Sequence, residues 1–381
     1  MEYMNNGKIV DKLKNITLIA AILISYFLIS SNVQAATLTN DQALNSKIGW
    51  TIDGKKIKSG SLSTDYNIEQ ALSDINKFQL NTLNIPVMID VDNIYSSNMI
   101  VDKTSEKKAI DLIKQLKNAN TNINIILEPY PWVAQGTKAE TEWKPDNMND
   151  FFLNWKTNVL KTLINDIAVP YNVTALNIGS NLVNMEYEEN NWCDTVDYVR
   201  TYYKGLVTYR TNKWDTASWS PDSVAAYNKK LNNKLFSKVD FISIAAYFEL
   251  TNNPTNTVVN LASSIEDSQI DFNGQVRHQN IKQEIKNFYD KWNKPIFFGE
   301  LGFPKFDYAS YEPWNWNPYK NNTLNNLEQS NCFEAYRREF ENEPWFLGFS
   351  IFAIGEQSND KHYYPSQEST AVIKNWYSRE Q

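Results

Sequence analysis

Eight short apolar runs, each four to seven residues long, recur at 48–52, 83–89, 123–128, 175–178, 206–209, 241–246, 296–299 and 346–352. They are rich in β-branched and aromatic residues, as strands buried on both faces must be. Stretches with helical spacing separate them. "IEQALSDINKF" sets Ile68, Leu72, Ile75 and Phe78 on one face, "SEKKAIDLIKQLKN" does so with Ala109, Leu112, Ile113 and Leu116, and "IKQEIKNFYDKW" with Ile281, Ile285 and Phe288. Strands alternating with helices predict a parallel sheet, either doubly wound or closed. Eight repeats favour closure, so the expected fold is of the α/β class: a single-domain (β/α)8 TIM barrel.

The first 35 positions stand apart. Lys8, Lys12 and Lys14 lead into an apolar run from Ile16 to about Ile29, which ends at Val33-Gln34-Ala35-Ala36. That order is expected of a secretory signal peptide, leaving a barrel domain over 36–381. The run is short of the roughly 20 residues that span a bilayer, so no membrane span is expected after cleavage, and an uncleaved anchor is the alternative. Secretion or the cell surface is the expected location. The chain is acidic, with a formal net charge of −7, and lacks the basic runs that track phosphates, which argues against nucleic acid. Cys193 and Cys332 lie far apart, and a core of this size needs no disulfide. Two histidines and no close Cys/His cluster point to no metal site. No glycine-rich phosphate loop follows a strand, so no cofactor is expected, and the chain is read as a monomer.

Function in such a barrel sits at the C-terminal ends of the strands. Read in order, those ends carry Trp50 and Asp53, Asp90 and Asp92, Glu128 with Tyr130 and Trp132, Asn181 and Glu186, Trp214 and Asp215, Tyr247 and Glu249, Glu300, and Glu356. The rim reads as carboxylates and aromatics with hardly a cation. With 12 Trp and 21 Tyr in the chain, it suits a neutral polyol, because these side chains join a flat apolar face to a polar tip. Glu300 is the sharpest candidate. "KPIFFGELGFP" is an apolar strand ending in Gly-Glu, where a carboxylate is poorly solvated and fixed in direction, as a nucleophile at an anomeric carbon must be.

"GELGF" followed by "PWNW" resembles the nucleophile strand of glycoside hydrolase family 113, the clan A β-mannanases. "TEWKPDNMNDFFLNW", "VDFISIAAYFEL" and "VNMEYEENNWCDTVDYVRTYYKGLVTY" resemble other segments of that family in the same order. The resemblance implies a (β/α)8 fold and retaining hydrolysis of β-1,4-mannosidic bonds in a polysaccharide or oligosaccharide. It gives Glu300 the nucleophile's place and Tyr247 that of the tyrosine bonded to it. Trp314 and Trp316 fall on a substrate-side loop, and Trp50, Tyr130, Trp132, Trp143 and Trp214 are further substrate-binding candidates.

One departure stands out. Family members end strand four in Gly-x-Glu-Leu, whose Glu is the acid/base. Here the frame reads Gly179-Ser180-Asn181-Leu182, and an amide has no proton to give. Strand three carries Glu128-Pro129-Tyr130 in place of Lys-Pro-His. Glu128 is the strongest relocation candidate for the lost acid, its structural alternative being a salt bridge or hydrogen bond, with Glu186 and Asp215 weaker. Three readings follow: a hydrolase with a moved or weakened acid, an inactive glycan-binding barrel, or a glycosidase of other specificity, such as for cell-wall glycan.

Overall fold

The computed structural model describes residues 51–378, apart from 53, 120–121, 317, 319–322 and 356–359. The leader, Trp50, Asp53 and Glu356 therefore lie outside the described residues. Eight parallel strands form the barrel: β1 (Ile57–Leu62), β2 (Thr82–Val91), β3 (Asn124–Val133), β4 (Ala175–Ser180), β5 (Leu206–Asn212), β6 (Phe241–Ala245), β7 (Ile296–Leu301) and β8 (Phe346–Ile354). Each pairs with the next, and β1 pairs with both β8 and β2, which closes the ring. The fold is thus the single-domain (β/α)8 barrel expected.

The first strand corrects the expected one at 48–52. β1 reads IKSGSL, which looks polar, yet every residue in it is buried. Its lysine works as an amphipathic stem: Lys58 Nζ reaches the carbonyls of Lys374 and Trp376 at the N-terminal mouth. Ser61 faces inward and bonds Ser350 at 2.8 Å. Hydropathy alone misses such a strand.

The helices end where their sequences say they should. In Ile68–Phe78 the Asn67 side chain accepts from the Gln70 amide, and left-handed Gln79 (φ 54°) stops the run. Asn280 and Asn293 do the same for Ile281–Trp292, which buries Ile281, Ile285 and Phe288 against the barrel. An Asn273-Gly274 turn (φ 57° and 90°) joins the hairpin Ser268–Phe272/Gln275–Gln279 beyond β6.

The barrel interior changes character along its axis. At the N-terminal end Ile57, Ile126, Ala175, Phe241, Phe297 and Leu347 form an apolar plug. Two residues further along five of these strands, strand alternation brings Ser59, Glu128, Asn177, Ser243 and Gly299 into the next layer, with Thr208 and Arg210 from β5. That polar layer is the floor of the site.

Candidate active site

Arg210 organises the floor. Its guanidinium grips Glu128 with two bonds, Nη1 to Oε1 at 2.7 Å and Nη2 to Oε2 at 2.5 Å, and reaches Glu300 Oε1 from Nη1 at 2.6 Å. Gly299 makes this possible, since a Cβ there would lie 2.5 Å from Arg210 Nε and 2.1 Å from Ser243 Oγ. All three charged side chains are buried. Burial alone would lower the Arg210 pKa, but the two carboxylates hold it above its usual value.

Glu300 follows an inward-facing glycine, so simple alternation would turn it out of the barrel. The register of β7 shifts at this point against both neighbours, β6 and β8. Such an irregularity re-aims a side chain, and Glu300 points inward onto Arg210. Burial, reinforced by the Glu128 charge, raises its pKa; Arg210 and a hydrogen bond from Tyr247 oppose the rise. Tyr247 itself is held neutral, first by burial and then by the charge of Glu300.

Glu128 is not free to act as a displaced acid. Beyond the two arginine bonds, its oxygens accept from Ser180 Oγ at 2.8 Å and Asn84 Nδ2 at 2.9 Å. These bonds fit the salt-bridge alternative named for Glu128 from sequence, and not a displaced acid. Glu186 is engaged by Lys230 at 2.5 Å and Thr211 at 2.8 Å. Asp215 pairs with Arg277 at 3.0 Å and Lys213 at 3.1 Å. The expected scarcity of cations also fails: Arg210, Lys213 and Arg277 all stand at this end of the barrel, mated to its carboxylates.

Asn181 lies at the end of β4 with φ +54°, a left-handed conformation that asparagine adopts more readily than other non-glycine residues. Its Nδ2 donates to Glu140 Oε1 at 3.1 Å. Glu140 belongs to the loop after β3 and is half-buried. Burial of its carboxyl pushes the pKa from 4.5 up to about 7, with the charges of Glu300 and Glu128 adding to the effect and hydrogen bonds from the backbone and Asn181 opposing it.

A cleft of about 390 Å³ joins these groups, within the size range of small-ligand sites. Glu140, Asn181, Tyr247 and Glu300 share its lining with Tyr130, Lys213, Trp314, Trp316, Phe352 and Tyr363. Trp314 and Trp316 are 44% and 54% exposed. Trp314 lies over Lys213 Nζ at 4.5 Å, Trp316 stacks on His362, and the Tyr363 hydroxyl donates to the Pro313 carbonyl at 2.8 Å, which ties down this loop.

Three other tryptophans proposed as substrate contacts stand elsewhere. Trp143 is fully buried, packed on Phe151 and Trp155, with Nε1 on the Ser96 carbonyl at 2.8 Å. Trp214 is sealed among Phe248, Phe288 and Tyr227 and donates to Glu284. Trp132 lies under the turn at Gly136, where a Cβ would meet its ring at 2.3 Å. The first two are core residues, and the third supports a loop.

Arg210 and Glu140 escaped the sequence reading. Arg210 sits inside "YRTNKWDT", whose departure from an aromatic pattern was its only mark. Glu140 lies in a loop, 134–147, longer than the two to six residues usual between strand and helix, and long loops of this kind are where function concentrates.

A model of glycoside hydrolase family 113 matches residues 53–373. Among solved structures, a family 113 β-1,4-mannanase aligns with TM-score 0.63 and 18% identity over 84% of this chain and 98% of its own. The family 113 β-mannanase AaManA from Alicyclobacillus acidocaldarius, in complex with ManMIm, gives 0.64 and 16% over 86% and 98%. A β-glucuronidase from Ruminococcus gnavus gives 0.52 and 12% over 84% and 50%. No curated protein matches the sequence.

Proposed function

The chain belongs to glycoside hydrolase family 113, and from that premise we propose that it is a secreted or cell-surface hydrolase of β-1,4-mannosidic bonds, acting with retention through Glu300. The observation that carries this reading is Glu300 at the floor of an aromatic-lined cleft, gripped by Arg210 at 2.6 Å and hydrogen-bonded by Tyr247. A nucleophile needs its charge kept and its direction fixed. Arg210 supports both, since it is itself locked by Glu128. The flat faces of Trp314 and Trp316 suit the C–H faces of sugar rings, and the expected leader supports export.

A second reading, a barrel that binds glycan without cutting it, is favoured by Asn181 at the place the acid/base holds in the resemblance. The two separate on one experiment. Chain 36–381 is incubated with β-1,4-mannopentaose, and the products are followed by chromatography and by proton NMR of the first anomer formed. Cleavage that yields the β-anomer first and is lost in Glu300→Gln supports the hydrolase. Binding of the oligosaccharide with no cleavage under any condition would make the protein a glycan-binding barrel. Hydrolysis of a glucan or another cell-wall glycan instead would keep the chemistry and change the sugar.

A further inference from the structure

We propose that Glu140 is the catalytic acid/base of this site, carried on the loop after β3, and that Asn181 is the residue that positions it. The proposal rests on the retaining reading above and supplies its second carboxyl group. Retaining hydrolysis needs a proton for the departing sugar oxygen and later a base for the incoming water.

Elimination narrows the field among the described residues. Glu128 is saturated by Arg210, Ser180 and Asn84, Glu186 is held by Lys230 and Thr211, and Asp215 and Glu249 are ion-paired with Arg277. Glu140 alone lines the same cleft as Glu300 with no cation bound to it.

Its placement is built, not incidental. Glu142 closes the turn by accepting from the Ala139 amide at 3.0 Å, and Lys138 pairs with Glu142 at 2.9 Å. Trp143, the residue after Glu142, is itself buried in the core with Nε1 on the Ser96 carbonyl, while Asn184 Nδ2 ties the Thr141 and Trp143 carbonyls at 3.1 and 2.9 Å. A carboxyl so held keeps its direction through the reaction.

Asn181 suits a partner that must change protonation state. Its Nδ2–H donates to the carboxylate form. Its Oδ1 is buried with no partner among the described residues, and turning the amide would offer that oxygen to the protonated form. A carboxylate at 181 could serve only one of the two states without repulsion.

In the first step Glu300 Oε forms a bond to the anomeric carbon, the C–O bond to the leaving sugar breaks, and the Glu140 proton goes to that oxygen. In the second, Glu140 takes a proton from water, whose oxygen bonds to the anomeric carbon as the Glu300 ester breaks. The groups that face Glu140 fit this cycle. Glu300 and Glu128 raise its proton affinity, Tyr247 is held neutral, Tyr130 and Tyr363 line the same cleft, and Lys213, also on its lining, pairs with Asp215 and Glu249. On its own loop Lys138 and Glu142 satisfy each other.

The test compares wild type, Glu140→Gln, Glu140→Ala and Asn181→Ala on two substrates: β-1,4-mannopentaose and 2,4-dinitrophenyl β-mannoside, whose leaving group needs no proton. Circular dichroism of each variant checks folding. Both Glu140 variants are expected to lose roughly 10²–10⁴-fold in kcat/KM on the oligosaccharide and to keep it on the aryl glycoside. Azide, which needs no base, restores their aryl turnover as β-mannosyl azide. In wild type the alkaline limb of kcat/KM falls near pH 7, and it disappears in Glu140→Gln. Asn181→Ala moves that limb to higher pH, because the lost hydrogen bond had lowered the pKa; a merely structural role would leave the limb in place. Oligosaccharide cleavage that survives in Glu140→Gln while failing in Glu300→Gln overturns the assignment of Glu140 alone. A wild type inactive on every β-linked substrate overturns the retaining reading and this proposal with it.

Discussion

Arg210 is the side chain on which the floor of the site depends, and its removal shows the sign of a buried pair. Two carboxylates would be left buried without their cation, a loss of about 3–5 kcal/mol. Arg210→Met should therefore lower the thermal midpoint sharply at pH 7. The deficit should shrink in acid, where Glu300, its pKa raised by burial, takes up a proton. Equal destabilisation at pH 4 and pH 7 would mean that the arginine acts through packing. Asn181 offers a sharper residue-scale contrast. Restoring glutamate there looks like a repair from sequence, but the backbone stands at φ +54°, which costs a non-glycine side chain roughly 1–2 kcal/mol. The new carboxylate would also face Glu140. Asn181→Glu is expected to lower kcat/KM on mannopentaose and to push its alkaline limb upward; a rise in oligosaccharide cleavage would argue that position 181 still wants an acid. The glutamate at 300 was legible because an apolar strand ended on it. For Glu128 a salt bridge was legible as the alternative to an acid, but not its partner, since Arg210 lies 82 positions away.

At the scale of elements, the loop of residues 134–147 and the register shift in β7 decide where the chemistry falls. Neither has a hydropathy signature. Strand periodicity placed β7 correctly but would have aimed Glu300 outward, and only the shift against its neighbours turns it in. The loop depends on Trp143, whose burial looks like a substrate platform in sequence because tryptophans at strand ends read alike on either face. Trp143→Ala should cost about 3–5 kcal/mol, read as a fall in denaturant midpoint. It should also reduce kcat on mannopentaose more than it raises KM, as the Glu140 turn loosens. Trp314→Ala, on the exposed loop after β7, should do the reverse, raising KM with kcat little changed. Steady-state kinetics of the two variants side by side distinguishes an anchor from a contact.

Across the whole molecule, the β/α rhythm was readable because seven of the eight strands each contain or overlap an apolar run of four to seven residues. β1 was not, because small serines line the interior and a lysine stem lies along its mouth. The interior passes from an apolar plug to a charged floor, and that gradient places a carboxyl of raised pKa in the cleft at a cost to stability. Glu140 titrates from 4.5 in the open chain to about 7 in the fold, so the folded state holds more protons between those values. Its penalty is absent below pH 4.5, grows as pH rises, and is complete above about 7. Glu140→Gln should therefore melt higher than wild type at pH 8 and level with it at pH 4, a result that calorimetry at the two pH values would give without any substrate. The pairing of Glu300 with Glu140 is tested most directly by mass spectrometry of Glu140→Gln mixed with 2,4-dinitrophenyl β-mannoside. The account predicts a protein carrying one mannosyl unit esterified to Glu300, trapped because no base activates the water. Absence of any adduct, with the variant turning over the oligosaccharide like wild type, would contradict it.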